Sequence, residues 1–565
     1  MSQFDERFDF VVAGCGGGSM CAGLVMREAG KSVLILEKTE FVGGTTAKSG
    51  GMMWIPNNAF LARDGIEDSV EKSMTYLDNT VGDRNDTPGA TRERRLAYVQ
   101  KAPEMVRFLV DQGIALERAQ YWPDYYDERP GGIRQGRSVT AKLFDVNELG
   151  PWREKLRRGF VPVPAMLEEA RLLPFLNRRR ESFWLATKIA LRVIWARLTG
   201  KHYVSAGAAL QGRMLKAALA RGVDIRLSSP VAQLIVEGGR VTGVVTEREG
   251  KPWRVGADLG VLINAGGFAR NARMRAQYQP RTKVEWTNVT EGDTGEMIEE
   301  MVRHGAVVAQ MEEMVGYQST IPPGAENAYL KPSVQSLTAK PHVILVDQSG
   351  TRYQNEGGSY MEYCQNMLAR DAEVPAIPSW AIFDSQYLKK YPLAGLMPTK
   401  PIPASWTAKG YLRGGDTIEE LAQAIAADPA TLRATVERFN RFADQGRDED
   451  FHRGDRAYDR WLGDAFETSA AATLGRIDLP PFYAVPVVPG DVGTYGGVVT
   501  DDQARVLRAE GTPIEGLYAT GVSTASVMGR CYVGAGASVG PSFTWGYVAA
   551  QHALRNRSAA SVGSA

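Results

Sequence analysis

Apolar and polar positions along this chain switch between two periods, and the switches lay out its elements. Residues 8–13 (FDFVVA) are apolar almost throughout and end at a glycine, as a strand buried on both faces would. Met20 to Ala29 then has helical spacing, Gly30 breaks it, and Ser32 to Leu36 is a second apolar run. Strand, glycine turn, helix and strand in close succession predict the opening of a parallel α/β unit. The pattern returns late in the chain, where Gly260–Gly267 (GVLINAGG) and Gly516–Gly521 (GLYATG) each run a strand into small residues. Residues 415–445 read as two amphipathic helices. A further helix is expected over 182–199, with Phe183, Leu191, Ile194 and Leu198 on one side at 100° per residue. Lys188, Arg192 and Thr199 lie opposite, Trp184 and Trp195 at the border, and Arg197 intrudes on the apolar side.

The first turn carries chemistry. Gly14 permits a tight bend, and Gly16 lets backbone approach a pyrophosphate. The following helix start, with Gly17, Gly18 and Ser19, offers unpaired N–H groups to negative charge. Glu37, 23 residues after Gly14, closes the second strand and can accept hydrogen bonds from ribose hydroxyls, with Lys38 beside it. Ser19 stands where a third glycine is usual. A second loop of glycines and hydroxyls follows, with Gly44, Thr45, Thr46, Ser49, Gly50 and Gly51 placed to continue along a longer ligand. NAD explains only the first turn. An FAD domain assembled from both ends of the chain explains all these segments, and adds Ala265, Gly266, Gly521, Ser538 and Val539 as expected contacts. No histidine falls in these loops, so FAD is expected to bind non-covalently.

Composition acts by exclusion. The 565 residues leave room for two to four domains, and 44% hydrophobic with 23% charged content is that of a globular protein. Lys+Arg 66 against Asp+Glu 65 argues against nucleic acid as a partner. Cys15, Cys21, Cys364 and Cys531 form no CxxC pair, which suits a reducing compartment, and no two of the five histidines stand at metal-ligand spacing, so no metal site is expected. The acidic start MSQFDERFDF lacks the apolar core of a secretory signal, and no run of apolar residues is long enough for a membrane span.

Six stretches together resemble the FAD-dependent 3-ketosteroid Δ1-dehydrogenases of the fumarate-reductase-like flavoproteins: 43–58 (GGTTAKSGGMMWIPNN), 123–126 (PDYY), 355–360 (NEGGSY), 451–459 (FHRGDRAYD), 489–497 (PGDVGTYGG) and 532–536 (YVGAG). The likeness covers nearly the whole chain. It implies a Rossmann-like α/β FAD-binding domain made of 1–283 and 484–565, with an α+β catalytic domain inserted at 284–483 and the active site between them. It also implies 1,2-desaturation of ring A of a 3-ketosteroid, such as a 3-keto-4-ene steroid or cholest-4-en-3-one. A base removes the carbon-2 proton while hydride passes from carbon 1 to flavin N5. Matched motif by motif, Tyr360 is the base and Tyr125 its hydrogen-bond partner, while the Tyr532 hydroxyl and the Gly536 N–H hold the ketone oxygen. Tyr126 and Tyr363 are the rival positions for the pair. Three departures bear on the site. Val533 and Ala535 replace the prolines of the family's YPGPG loop, removing two φ restraints. Ser359 stands where proline often precedes the base, and Tyr495 where lysine is common.

Residues 171–202 hold eight Lys or Arg against one acid, Glu181. A basic amphipathic helix with boundary tryptophans suits the surface of an anionic membrane. The expectation is a cytoplasmic enzyme peripherally associated with the inner face of the cell membrane, passing electrons to an acceptor such as a quinone. The competing arrangement is a surface helix with its apolar side packed inward. A fumarate-type enzyme on the same fold would need an Arg and His clamp for two carboxylates, and only His304, His342 and His452 fall in the catalytic segment. A Δ4-desaturating sister enzyme leaves the tyrosine pattern unexplained. A non-catalytic flavin-binding membrane adaptor would not need a base and oxyanion set.

Overall fold

The computed structural model describes residues 4–175, 178–398 and 400–562. Residues 176–177 of the basic run, and the outermost residues of the first and last domain segments, lie outside the described residues.

The apolar runs become the centre of an eight-stranded sheet. Glu6–Ala13 pairs in parallel with Val33–Leu36 on one side and with Lys251–Ile263 on the other. Pro513–Ala519 joins in parallel beside Lys251–Ile263, and Asp224–Arg226 extends the opposite edge. Strands from both ends of the chain therefore share one sheet. The crossover helix Gly17–Glu28 is clamped by the C-terminal helix Val539–Val562. Close packing there accounts for two of the glycines. A Cβ on Gly17 would sit 1.9 Å from the Phe543 ring, and one on Gly18 would sit 2.3 Å from the Ser542 carbonyl oxygen.

The inserted domain is built on the four-stranded antiparallel sheet Val343–Val346, Ser379–Asp384, Phe482–Val487 and Arg413–Gly415. The two helices expected over 415–445 are Ile418–Ala424 and Pro429–Gln445, the first capped by Thr417 and the second by Asp428. Both lay apolar faces on that sheet through Leu421, Leu432, Val436 and Phe439. Two short ribbons join the domains: Met314–Gly316 pairs with Asp491–Thr494, and Val308–Ala309 with Gly497–Val498.

One segment differs from expectation. The loop at 43–51 contains a short helix, Gly44–Lys48. The helix expected over 182–199 forms as Arg180–Leu198, and the competing arrangement is not the one found, since its apolar side does not pack on the body. Phe183, Trp184, Leu191, Ile194, Trp195 and Leu198 all point outward, with Trp184 67% and Leu198 78% exposed. The residues turned inward are Ser182, Ile189 and Ala196, which are small or singly apolar, with Arg192 beside them. Among the described residues no helix is long and apolar enough to cross a membrane.

Candidate active site

One continuous cavity of about 410 Å³ runs from the glycine turn of the parallel sheet to the contact between the domains. Its nucleotide end is made of backbone. Gly14 has φ +92°, and a Cβ there would fall 2.2 Å from the Asn264 carbonyl oxygen, so only glycine fits the turn. The next helix, Gly17–Glu28, has Gly16 at its N-cap, which lines the cavity, and no side chain caps its first N–H groups. Glu37 anchors the turn by accepting the Cys15 N–H (2.9 Å) and the Thr39 N–H (2.9 Å). Lys38 is engaged with Thr294 (2.7 Å) and Glu296.

Gly44, Thr45, Thr46, Ser49, Gly50 and Gly51 continue the wall, met by Ala265, Gly266, Gly521, Ser538 and Val539 from the far segments. Every expected cofactor contact lines this cavity except Gly17, Gly18 and Ser19. The two glycines lie against the C-terminal helix, and the Ser19 hydroxyl accepts the Asn264 side-chain N–H (2.9 Å). A trough from helix start and acid, past three hydroxyls, to an aromatic end presents the groups that FAD needs along its length.

The far end is made of tyrosines. Tyr125, Tyr360 and Tyr532 converge from three distant segments. The Tyr360–Tyr532 ring centroids are 4.8 Å apart, those of Tyr125–Tyr360 5.5 Å, and those of Tyr125–Tyr532 5.8 Å. The Tyr125 hydroxyl is within hydrogen-bonding reach of Tyr360 and Tyr458, and the Tyr125 and Tyr458 rings stack at 3.9 Å. Asp127 places Tyr458 by accepting its N–H (3.1 Å). The Tyr532 hydroxyl lies 3.1 Å from the Ser538 hydroxyl, with the N–H groups of Ser538 and Gly536 directed at it. Gly536 has φ +92°, and a Cβ there would strike the Met52 carbonyl oxygen at 2.2 Å. The rivals Tyr126 and Tyr363 do not line this cavity.

Burial governs the electrostatics. It pushes the Tyr360 phenol well above its ordinary value, and neighbouring Tyr125 and Tyr532 add to the shift. Tyr360 is the first residue of the helix Tyr360–Asp371, whose positive end favours a phenolate, but burial outweighs that. Burial also raises Tyr125 and Tyr532, although Ser538 and Gly536 pull Tyr532 the other way. All three hydroxyls are therefore protonated at neutral pH.

The loop that carries Tyr532 is held without its two prolines. The Tyr495 hydroxyl donates to the Cys531 carbonyl (3.2 Å). The Val533 carbonyl accepts from the Tyr76 hydroxyl (2.7 Å) and the Tyr125 N–H (3.0 Å). The Ser138 hydroxyl donates to the Ala535 carbonyl (2.7 Å), and the Trp54 N–H to that of Gly536 (3.2 Å). Asp124, next to Tyr125, braces the same wall by accepting from the Trp54 indole (2.8 Å), the Ile133 N–H (3.1 Å) and Arg137.

Several lining residues carry no signal in local sequence: Trp122, Phe160, Leu167, Tyr317, Leu330 and Val492 make an apolar wall, and Asn288, Thr290 and Asp293 add polar groups. Asn288 has a buried side-chain N–H group without a partner. Burial pushes Asp293 up to about 6 and Lys48 down to about 8. Tyr458 was legible only as part of the 451–459 motif, with no role attached to it.

Comparison with known proteins agrees with this geometry. The FAD binding domain family matches residues 9–539. The chain is 37% identical to a 3-oxosteroid 1-dehydrogenase of Mycolicibacterium smegmatis over 96% of its own length and 97% of the relative's. It is 33% identical to a 4-oxocyclohexanecarboxylate 2-dehydrogenase of Sinomonas cyclohexanicum, covering 96% and 92%. A crystal structure of the 3-ketosteroid Δ1-dehydrogenase of Sterolibacterium denitrificans with 1,4-androstadiene-3,17-dione superposes with a TM-score of 0.89 at 34% identity, covering 98% of this chain and 100% of that one. A dinucleotide trough that ends in a buried tyrosine cluster, on a fold shared from end to end with these enzymes, means that the chain belongs to the FAD-dependent 3-oxosteroid 1-dehydrogenase family.

Proposed function

We propose that this protein is a 3-ketosteroid Δ1-dehydrogenase that introduces the 1,2 double bond into ring A of a 3-ketosteroid. The observation that carries this reading is the convergence of Tyr125, Tyr360, Tyr532 and Gly536 at one end of the cavity whose other end is the glycine turn and Glu37. The ketone oxygen sits between the Tyr532 hydroxyl and the Gly536 N–H. As the proton at carbon 2 leaves, negative charge builds on that oxygen, and each preorganised donor aimed there lowers the barrier by about 3 kcal/mol. Tyr360 receives the proton as its phenolate, after its own phenolic proton has left toward solvent through the hydrogen-bonded contacts with Tyr125 and Tyr458. The second hydrogen leaves carbon 1 as hydride, for which bound FAD supplies the acceptor. Tyr317, Leu330, Phe160 and Leu167 exclude water and cover the fused rings. A single six-membered cyclic ketone would leave this apolar wall uncovered, which favours a steroid.

The reading extends to two further partners. A peripheral contact with an anionic membrane surface through 171–202 is supported by the outward apolar side of Arg180–Leu198. A quinone dissolved in the same bilayer would then be within reach as electron acceptor.

The test is anaerobic. The yellow holoenzyme is mixed with androst-4-ene-3,17-dione, and separately with cholest-4-en-3-one, while flavin absorbance is followed. Bleaching with formation of the 1,4-dien-3-one is expected. Full oxidation of the flavin in the presence of either steroid would overturn the reading.

A further inference from the structure

The helix Arg180–Leu198 is amphipathic but mounted inside out. Among the described residues, six of the twelve exposed large apolar side chains lie on it: Phe183, Trp184, Leu191, Ile194, Trp195 and Leu198. Steps of one, three and seven residues place them on a single outward face. The side that a surface helix normally shows to water faces the body instead. Arg192 makes a two-point ion pair with Glu169 (2.8 and 3.0 Å) and donates to the Pro164 carbonyl (2.5 Å), and Lys188 lies 3.6 Å from Glu169.

That attachment leads to the cavity. Glu169 belongs to the short helix Leu167–Ala170, whose first residue lines the cavity. The Leu167 side chain lies 3.1 Å from where a Cβ on Gly50 would stand, against the loop that walls the trough. A second path runs through Arg171, stacked 3.5 Å over Trp461, whose ring packs at 5.5 Å on Trp122 in the cavity wall.

We infer that the helix Arg180–Leu198 seats in the surface of an anionic bilayer by its outward face and delivers the steroid from lipid into the cavity past Leu167, without a passage through bulk water. This rests on the ketosteroid reading of the cavity and deepens the membrane contact proposed with it. The occupant is lipid because charge accompanies the apolar face. Arg179, Arg180 and Arg197 are exposed beside it, Glu181 is the only acid on the helix, and Arg180 and Arg197 make no ion pair among the described residues. Tryptophans at the edge of such a face suit the headgroup level. A second copy of the chain would bring the same cations to itself. The ion pair with Glu169 fixes the helix to the cavity wall, so the docked face and the entrance move as one piece.

The holoenzyme is centrifuged with phosphatidylcholine vesicles with and without phosphatidylglycerol. Turnover is measured with the same 3-ketosteroid held in cyclodextrin and dissolved in the vesicles. Wild type is expected to sediment with the anionic vesicles, and the double variant Leu191→Glu, Ile194→Glu to bind them at least about tenfold more weakly. The double variant keeps wild-type turnover on the cyclodextrin-held steroid and loses about tenfold on the vesicle-held one. Arg192→Gln binds vesicles as wild type does and loses turnover only with the vesicle-held steroid. Wild type remaining in the supernatant overturns the proposal, as does equal binding by the double variant. A double variant that changes only from dimer to monomer by light scattering overturns it too, and assigns the face to a second copy. No turnover by wild type in either presentation overturns the ketosteroid reading and delivery with it, while lipid seating still stands or falls by sedimentation.

Discussion

The two ends of the cavity are built on opposite plans. The nucleotide end is local in the chain and made of backbone: within residues 14–51 it has a glycine turn, a helix start, an acid and a hydroxyl loop. The tyrosine end is made of buried and half-buried side chains brought from residues 125, 360 and 532, backed by Tyr458, and no two of these are close in sequence. The first binds by shape and dipole, and tolerates little added volume. The second works by hydroxyl position, and its rings leave room for changes that preserve shape. A substitution at the first end is therefore expected to remove cofactor and fold together, and one at the second to remove chemistry alone.

The sharpest separation comes from Tyr360→Phe. The ring stays in its cluster and the proton acceptor goes. We expect kcat to fall about 10³-fold while flavin content and melting temperature hold at wild-type values. Retention of near-full turnover would move the base to another residue. At the opposite end, Gly18→Val is expected to cost about 3 kcal/mol in denaturant titration, because the new side chain meets the Ser542 backbone rather than a flexible group. The purified variant should be largely colourless. A yellow, stable Gly18→Val protein would show that the two helices can part without losing the site.

The pH profile probes the tyrosine end without altering it. Burial raises the Tyr360 phenol above its ordinary value of 10.0, so the form able to accept a proton is scarce at neutral pH and grows as pH rises. The sign is thus an increase: kcat/KM is expected to climb about tenfold per unit between pH 7 and 9, with no plateau in that range. A flat profile from pH 6 to 9 would mean that the proton leaves through a group other than a buried phenol.

Legibility followed the same division. The nucleotide end could be read from spacing, because strand, turn, helix and acid obey local rules that one stretch of chain contains. The sheet built from both chain ends was readable for the same reason, since each strand runs into its own small residues. The tyrosine end was not readable from pattern. A buried aromatic in YVGAG and one in the core look alike until distant segments meet, and only the motif resemblance picked out 125, 360, 532 and 536. Tyr458 and Asn288 show the limit, because each owes its place to a fold contact that no local rule states. The outward face of Arg180–Leu198 was half legible. Periodicity gave the face its residues, but only packing decides whether such a face turns in or out.

The three departures around Tyr532 give the smallest and most discriminating test. Two prolines that would stiffen the loop are absent, yet its carbonyls at 531, 533, 535 and 536 are each held by a donor from a different element. Tyr495 is one of these donors and takes the position where lysine is common. Its buried ring lies 6.1 Å from that of Tyr532, and its hydroxyl reaches the carbonyl of Cys531, the residue before Tyr532. Hydrogen bonding to fixed carbonyls can restrain φ and ψ as well as a ring closure does, provided no donor is lost. Tyr495→Phe removes one donor and keeps the packing. It is expected to lower stability by about 1 kcal/mol and kcat a few-fold, with KM nearly unchanged. Restoring proline as Val533→Pro in that background should recover kcat if loop restraint is what was lost, since Val533 offers its carbonyl rather than its N–H to the network. No recovery would assign the Tyr495 hydroxyl a direct influence on Tyr532 instead.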